Sequence, residues 1–291
     1  MKKSLAFLAV YLGWGSLYLA IRFAVEDIPP FLMTGSSSLI AGAFLYLFAL
    51  SRGVQAPGLK QLAHASLAGL ALLAVGNGLI AIAVKSIPSS LVALLLATEP
   101  AWMVLMDWLF FKGEKPRAGV FAGIVLGLMG IALLVAPRPG ADPTQTLIAA
   151  SFVLGAAFSW SWGSLYCRKA DISDSSIMAI ALPVLMGAVF LLILSAAAGE
   201  WASFSFSRVQ PRAIAAFLYI TAISYTLTYV AYIWLLRKVS VAAVSTYAYV
   251  NPVIALLLGA SLGQETIGGS TLLGAVVILL GVGIVLRYSK R

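Results

Sequence analysis

The 291-residue sequence holds one cysteine, Cys167, and one histidine, His64. A lone cysteine closes no intramolecular disulfide, and a lone histidine excludes a multi-histidine metal centre. Charge is scarce as well. Only 10% of the residues are Asp, Glu, Lys or Arg, against about a quarter in an ordinary soluble domain. No Walker A sequence, H-E-x-x-H or cysteine pair occurs, so the chain carries no recognisable ATP-hydrolysing or zinc-hydrolase motif. Gly259-Ala260-Ser261-Leu262-Gly263 spells G-x-S-x-G, but it closes an apolar run and sits far from the sole histidine. The chemistry of that motif needs a strand-to-helix turn with His and acid partners. No metal and no cofactor is expected.

What fills the space is apolar. Hydrophobic residues make up 62% of the chain and mean hydropathy is +1.01. A helix crossing a hydrocarbon layer about 30 Å thick needs roughly 20 such residues. Pro, Gly and charge clusters cut the chain into about ten runs of that length. They fall near 4–24, 31–50, 62–84, 89–111, 117–136, 145–167, 175–198, 212–236, 241–262 and 269–287. The loops between them are short, the longest lying near Gly199–Pro211, so no soluble catalytic or nucleic-acid-binding module is expected. Met1-Lys2-Lys3 and the following apolar run read as a retained first span, because no A-x-A-like cleavage site follows.

The cations orient these spans. With the N-terminus inside, Lys2, Lys3, Arg52, Lys60, Lys112, Arg168 and their like fall in inner loops. Arg22, Lys85, Arg138, Arg208 and Arg212 fall outside. Cytoplasmic loops are enriched in Lys and Arg, so both termini are expected in the cytoplasm. The basic pI of about 9.7 then needs no nucleic acid to explain it.

The chain also repeats itself. Trp14-Gly15-Ser16-Leu17-Tyr18 recurs as Trp162-Gly163-Ser164-Leu165-Tyr166. Glu99-Pro100 aligns with Asn251-Pro252, Gly113-Glu114 with Gln264-Glu265, Lys85 with Arg237, and Gly123 and Gly130 with Gly274 and Gly281. Two units follow, 1–138 and 144–291, each of five helices. Because five is odd, the second inserts upside down relative to the first. Inverted repeats let two halves exchange conformations and expose a central site to each side in turn.

These residues resemble the drug/metabolite transporter superfamily, in its ten-helix EamA family. The resemblance rests on the repeated W-G-S-x-Y and on the Pro-bearing fourth and ninth helices ending near Gly-Glu. Ala74-Val75-Gly76-Asn77-Gly78 and Tyr247-Ala248-Tyr249-Val250-Asn251-Pro252-Val253 are similar to stretches of inner-membrane members. The resemblance implies a bacterial inner-membrane transporter, with a central cavity lined by helices 1, 3, 4, 6, 8 and 9 and with helices 5 and 10 to one side. Export of small metabolites or drugs is what it favours.

Glu99 is the sharpest functional candidate. It falls about 15 Å into its helix, near mid-bilayer, where an ionisable group is costly. Pro100 follows it and removes a backbone hydrogen bond, so carboxyl and freed carbonyl lie together. Glu99 is therefore the candidate for proton coupling, and Pro100 and Pro252 are candidate hinges. Asn251, the repeat-mate of Glu99, and Tyr247, one turn earlier, join the substrate-binding set. Trp14 and Tyr18 share a face of helix 1, Trp162 and Tyr166 a face of helix 6, and Tyr225 and Tyr229 a deep stripe on helix 8. Polar-tipped aromatics at that depth suit flat or cationic solutes. Asn77, between Gly76 and Gly78, and Trp102, three residues after Glu99, complete the set. Arg22 and Lys85 are expected to snorkel at outer ends, with Arg22 too shallow to reach Glu99.

The expected activity is alternating-access transport, secondary-active or facilitative, of small organic solutes such as amino acids or other aromatic or cationic compounds. The expected partners are that solute, protons and the lipid bilayer. Nucleic acid is not expected. Gly119, Gly123, Gly127 and Gly130 give helix 5 a small-residue face that is expected to pack inside one chain, leaving the protein monomeric. An intramembrane enzyme or a channel-like pore is the alternative. The first needs a paired acid and base at depth, and only Glu99 qualifies clearly. The second needs a continuous polar path, whereas the deep polar residues cluster.

Overall fold

A computed structural model describes residues 3–136, 142–239 and 246–289. Among the described residues nine helices are long and apolar enough to cross a membrane. They are α1 (Lys3–Ala24), α2 (Pro30–Ser51), α3 (Leu59–Ala83), α4 (Ser89–Phe110), α5 (Ala118–Val135), α6 (Pro143–Lys169), α7 (Ser176–Ala197), α8 (Pro211–Tyr232, helical on to Lys238) and α10 (Gly269–Ser289). A shorter apolar helix, α9 (Tyr247–Ser261), completes the ten. The expected start of helix 9 near 241, the end of the first unit at 137–138, and Lys2, Arg138, Lys290 and Arg291 lie outside the described residues. The Gly199–Pro211 loop contains a single helical turn, Glu200–Ser203, and a 3₁₀ turn, Phe206–Arg208.

With no water in the bilayer core, backbone polar groups must be satisfied inside each helix, and an apolar chain of this length solves that as a bundle. α5 and α10 pack against each other to one side through their glycines. A Cβ at Gly123 would lie 2.7 Å from the Gly281 carbonyl oxygen, and a Cβ at Gly281 would lie 2.7 Å from that of Gly123. Bare backbone at both positions is what lets the two helices close. The glycine face read from the sequence thus packs within the chain.

Several spans are not regular helices. α1 breaks at Ser16, which separates Lys3–Gly15 from Leu17–Ala24. α4 breaks at Ala97–Thr98, between Ser89–Leu96 and Glu99–Phe110. α3 and α8 each contain an eight-residue π-helical segment, Leu70–Asn77 and Ile220–Leu227. Wider π turns gather at functional sites. The two stand 150 residues apart. Left-handed backbone at non-glycine residues likewise recurs, at Lys112 after α4 (φ 58°) and Gln264 after α9 (φ 52°).

The expected hinge geometry needs correction. The break in α4 precedes Glu99 rather than following it, and Pro100 is the second residue of the Glu99–Phe110 segment. Proline lacks an N–H that a first turn leaves unpaired anyway, so it starts a helix more readily than it bends one. Pro252 lies inside α9, which runs unbroken through it, and the turn stands ahead of that helix at Thr246.

Candidate functional site

Counting inward from Ala24, Ser89 and Ser261, Trp14, Glu99 and Asn251 each lie ten residues along their helices. At 1.5 Å per residue that is about 15 Å, half of a 30 Å hydrocarbon layer. Three elements thus bring a large aromatic, a carboxyl and an amide to one depth.

Trp14 is the hub. Its ring centroid lies 4.9 Å from Tyr232, 5.3 Å from Tyr247, 5.5 Å from Tyr229 and 6.4 Å from Trp160. The last three contacts are edge-to-face, the arrangement that matches a ring's positive edge to a neighbour's negative face. Tyr225 continues the cluster at 6.2 Å from Tyr229. The ring walls therefore come from α1, α6, α8 and α9.

The polar atoms follow the same boundary. Tyr247 donates through Oη to Glu99 Oε2 at 3.4 Å, and Ser161 Oγ donates to the Glu99 carbonyl oxygen at 3.3 Å. Tyr18 is partly buried and packs against the same hydrophobic core. Asn77 Nδ2 donates to Tyr225 Oη at 2.9 Å, so the two π-helical segments meet through these side chains. Tyr229 Oη and Asn251 Oδ1 are buried without a hydrogen-bond partner. Buried polar atoms are nearly always paired, and an unpaired one in an aromatic cluster marks a place where a guest can bond.

Not every residue read from the sequence joins this cluster. Trp162 and Tyr166 stack on each other at 5.1 Å toward the other end of α6, beside Phe111. There Tyr166 Oη bonds His64 Nδ1 at 2.6 Å. Trp102 turns the other way. It meets Phe158 edge-on at 5.6 Å and lines an apolar cavity of about 120 Å³ between α4, α5, α6 and α10. Trp160 and Ser161 take part where the sequence reading did not place them, and Tyr232 continues the expected α8 stripe of Tyr225 and Tyr229. Trp160 stands two residues from Trp162, about 200° around a helix. Alignment of the repeats picks Trp162 as the mate of Trp14, yet the ring that meets Trp14 is Trp160.

A model of the EamA-like transporter family matches residues 1–136 and again 147–287. The chain belongs to the EamA-like transporter family. The two matches take in all ten helices of this EamA protein. It is 37% identical over 284 residues to the uncharacterized inner membrane transporter YedA of Escherichia coli (strain K12), covering 96% of this chain and 89% of that one. It is 29% identical to the uncharacterized transporter YvbV of Bacillus subtilis (strain 168), covering 98% and 91%. A probable amino-acid metabolite efflux pump of Escherichia coli (strain K12) matches at 24%, covering 97% and 93%. A solved crystal structure shares the fold at TM-score 0.67 and 21% identity, with 97% of each chain covered. The EamA protein is thus a multi-pass inner-membrane transporter.

Proposed function

We propose that this EamA protein is a secondary carrier that moves small organic solutes with a flat ring or an amino group, outward across the inner membrane, by alternating access. The observation that carries this reading is the mid-depth cluster in which Trp160, Tyr229, Tyr232 and Tyr247 surround Trp14, Tyr247 bonds Glu99, and Tyr229 Oη and Asn251 Oδ1 lack partners. Rings supply area and cation–π attraction, and the carboxyl and amide supply direction.

Both halves contribute. Trp14, Asn77 and Glu99 come from the first half, and Trp160, the α8 tyrosines, Tyr247 and Asn251 from the second. A site on the seam of two units is the place that rocking uncovers to one side and then the other. The breaks at Ser16 and Ala97–Thr98 supply segment joints beside it. With both termini cytoplasmic, the Arg22, Ser89 and Ser261 ends face outward. Glu99 is the carboxyl that exchanges a proton for solute if the cycle is coupled to protons. The name of the amino-acid metabolite pump supports amino acids and their derivatives as the first solutes to test.

The test is flux in proteoliposomes. Saturable movement of one solute class, with the solute chemically unchanged and a Glu99→Gln protein inactive, is expected. Non-saturable leakage proportional to concentration contradicts a carrier.

A further inference from the structure

α4 begins at Ser89 with no acidic side chain of its own in its first turn. The first N–H groups of a helix need acceptors, and the helix dipole favours an anion there. The anion comes from the other half of the chain. Glu265, in the loop between α9 and α10, accepts through Oε1 from Ser89 N at 2.7 Å, Ser89 Oγ at 2.7 Å and Arg22 Nη1 at 2.6 Å. Its Oε2 accepts from Ser90 N at 3.1 Å and from Ser90 Oγ. The Glu265 side chain is only 2% exposed, and that of Arg22 34%.

The backbone is shaped around this carboxylate. A Cβ on Gly259 would lie 2.5 Å from Glu265 Oε2, so only glycine leaves room. Glu265 N donates to the Gly259 carbonyl oxygen at 2.9 Å, and Gln264 takes left-handed backbone to close that turn. Such a conformation at a non-glycine residue persists where its surroundings enforce it.

Two other carboxylates cap helices across the halves on this face. Glu200 accepts from Phe31 N and Leu32 N at 3.2 and 2.7 Å, and Asp27 accepts from Gln210 N at 2.9 Å. Glu265 differs from them in what it joins. The elements meeting at it are α1, α4 and the end of α9, which carry Trp14, Glu99 and Asn251 ten residues below. The segments it holds, Leu17–Ala24 and Ser89–Leu96, are the short pieces beyond the breaks in α1 and α4.

We infer that Glu265, with Arg22, Ser89 and Ser90, is the gate that seals the solute site on this face. It is a regulatory contact of the site proposed above and rests on that reading. With the five hydrogen bonds made, α1, α4 and α9 are tied together over the site. Solute reaches this face only when the outer segments of α1 and α4 swing away from the α9–α10 loop.

Accessibility tests the gate without needing a known solute. In a Cys167→Ser chain, Asn251→Cys places one thiol at the site, and spheroplasts are treated with a membrane-impermeant maleimide. Adding Glu265→Gln is expected to raise the labelling rate about ten-fold, as expected from loss of charge-assisted hydrogen bonds. Ser89→Ala/Ser90→Ala, which keeps the charge and the backbone donors, is expected to raise it less, and carries the test if Glu265→Gln fails to fold. Glu200→Gln is expected to leave it unchanged. Equal labelling in the chain with native Glu265 and in all of the altered chains overturns the gate, as does a rise with Glu200→Gln as large as with Glu265→Gln. Raised labelling, together with no flux of any solute in proteoliposomes of the chain that keeps Asn251, leaves the gate standing and removes the carrier reading. Unchanged labelling with intact flux removes the gate alone.

Discussion

Asn77 donates a 2.9 Å hydrogen bond to Tyr225, and each residue lies in the π-helical segment of its own half. The bond couples the irregular parts of α3 and α8 at the Tyr225 end of the aromatic cluster. Tyr225→Phe removes its acceptor and leaves the Asn77 amide unpaired in a buried place. The expected cost is about 1 kcal/mol, between the small average for hydrogen bonds inside membranes and the larger penalty for an orphaned buried donor. Tyr229→Phe, which deletes a hydroxyl that has no partner, is expected to leave stability unchanged while weakening solute binding. Unfolding of the purified proteins, followed by tryptophan fluorescence, checks the contrast.

Trp160 and Trp162 separate the structure from the sequence pattern. Trp160 touches Trp14 and Tyr229, while Trp162 stacks on Tyr166. Trp160→Ala is expected to weaken binding of an aromatic solute about ten-fold, the size of a lost ring contact with its share of burial. Trp162→Ala is expected to change affinity less than about two-fold. Titration of purified protein with the transported solute reads both, and the reverse order contradicts the placement of the site.

Glu99→Gln keeps the shape and the capacity to accept from Tyr247 but removes the charge and the exchangeable proton. Flux is expected to fall at least ten-fold, with membrane insertion near that of the native chain. If transport is proton-coupled, the residual flux no longer responds to a pH gradient. Wild-type flux at every pH removes Glu99 from the mechanism.

Glu265 gives the end of the bundle where α9 meets α10 a defined pH dependence. Burial pushes its carboxyl up, but hydrogen bonds from the Ser90 and Ser89 side chains and backbones outweigh this and hold it below the usual carboxylate range. The charged group facing it is Arg22 of α1, while α4 presents Ser89 and Ser90 and α9 presents the Gly259 backbone. For a depressed carboxyl, the stabilisation is complete above the unfolded value of about 4.3 and fades as pH falls through the lower folded value. Maleimide labelling of the site cysteine is therefore expected to stay flat from neutral pH down to about pH 5, after correction for the reagent's own pH dependence. Protein stability is expected to fall only at lower pH, and to lose that acid limb in Glu265→Gln.

Much of the fold was legible because a membrane span is written in composition and length alone. The ten runs coincide with ten helices to within a few residues, apart from the part of helix 9 outside the described residues. The helix 5 glycine face packs inside the chain, with Gly123 against Gly281. The polar depth argument kept Arg22 from pairing with Glu99, and Arg22 bonds Glu265 instead. What it missed was the actual partner. Glu265 aligned with Glu114 in the repeat, but nothing in hydropathy says that a loop carboxylate folds back onto the start of a distant helix. The π-helical segments were invisible for a similar reason. They alter hydrogen-bond spacing without altering apolar content, so a 3.6-residue pattern reads through them. The choice of Trp162 over Trp160 shows the limit of repeat alignment: it carries residue identity across the halves, but not which face of α6 turns toward Trp14.

The most direct measurement is counterflow in proteoliposomes loaded on the far side with unlabelled solute, screened over amino acids, nucleobases and aromatic amines. A carrier with one site exposed alternately is expected to take up labelled solute transiently above equilibrium, and to lose that overshoot with Trp160→Ala or Glu99→Gln. Uptake that never exceeds equilibrium for any transported solute, and is indifferent to both substitutions, contradicts a seam site at Trp14 and Glu99.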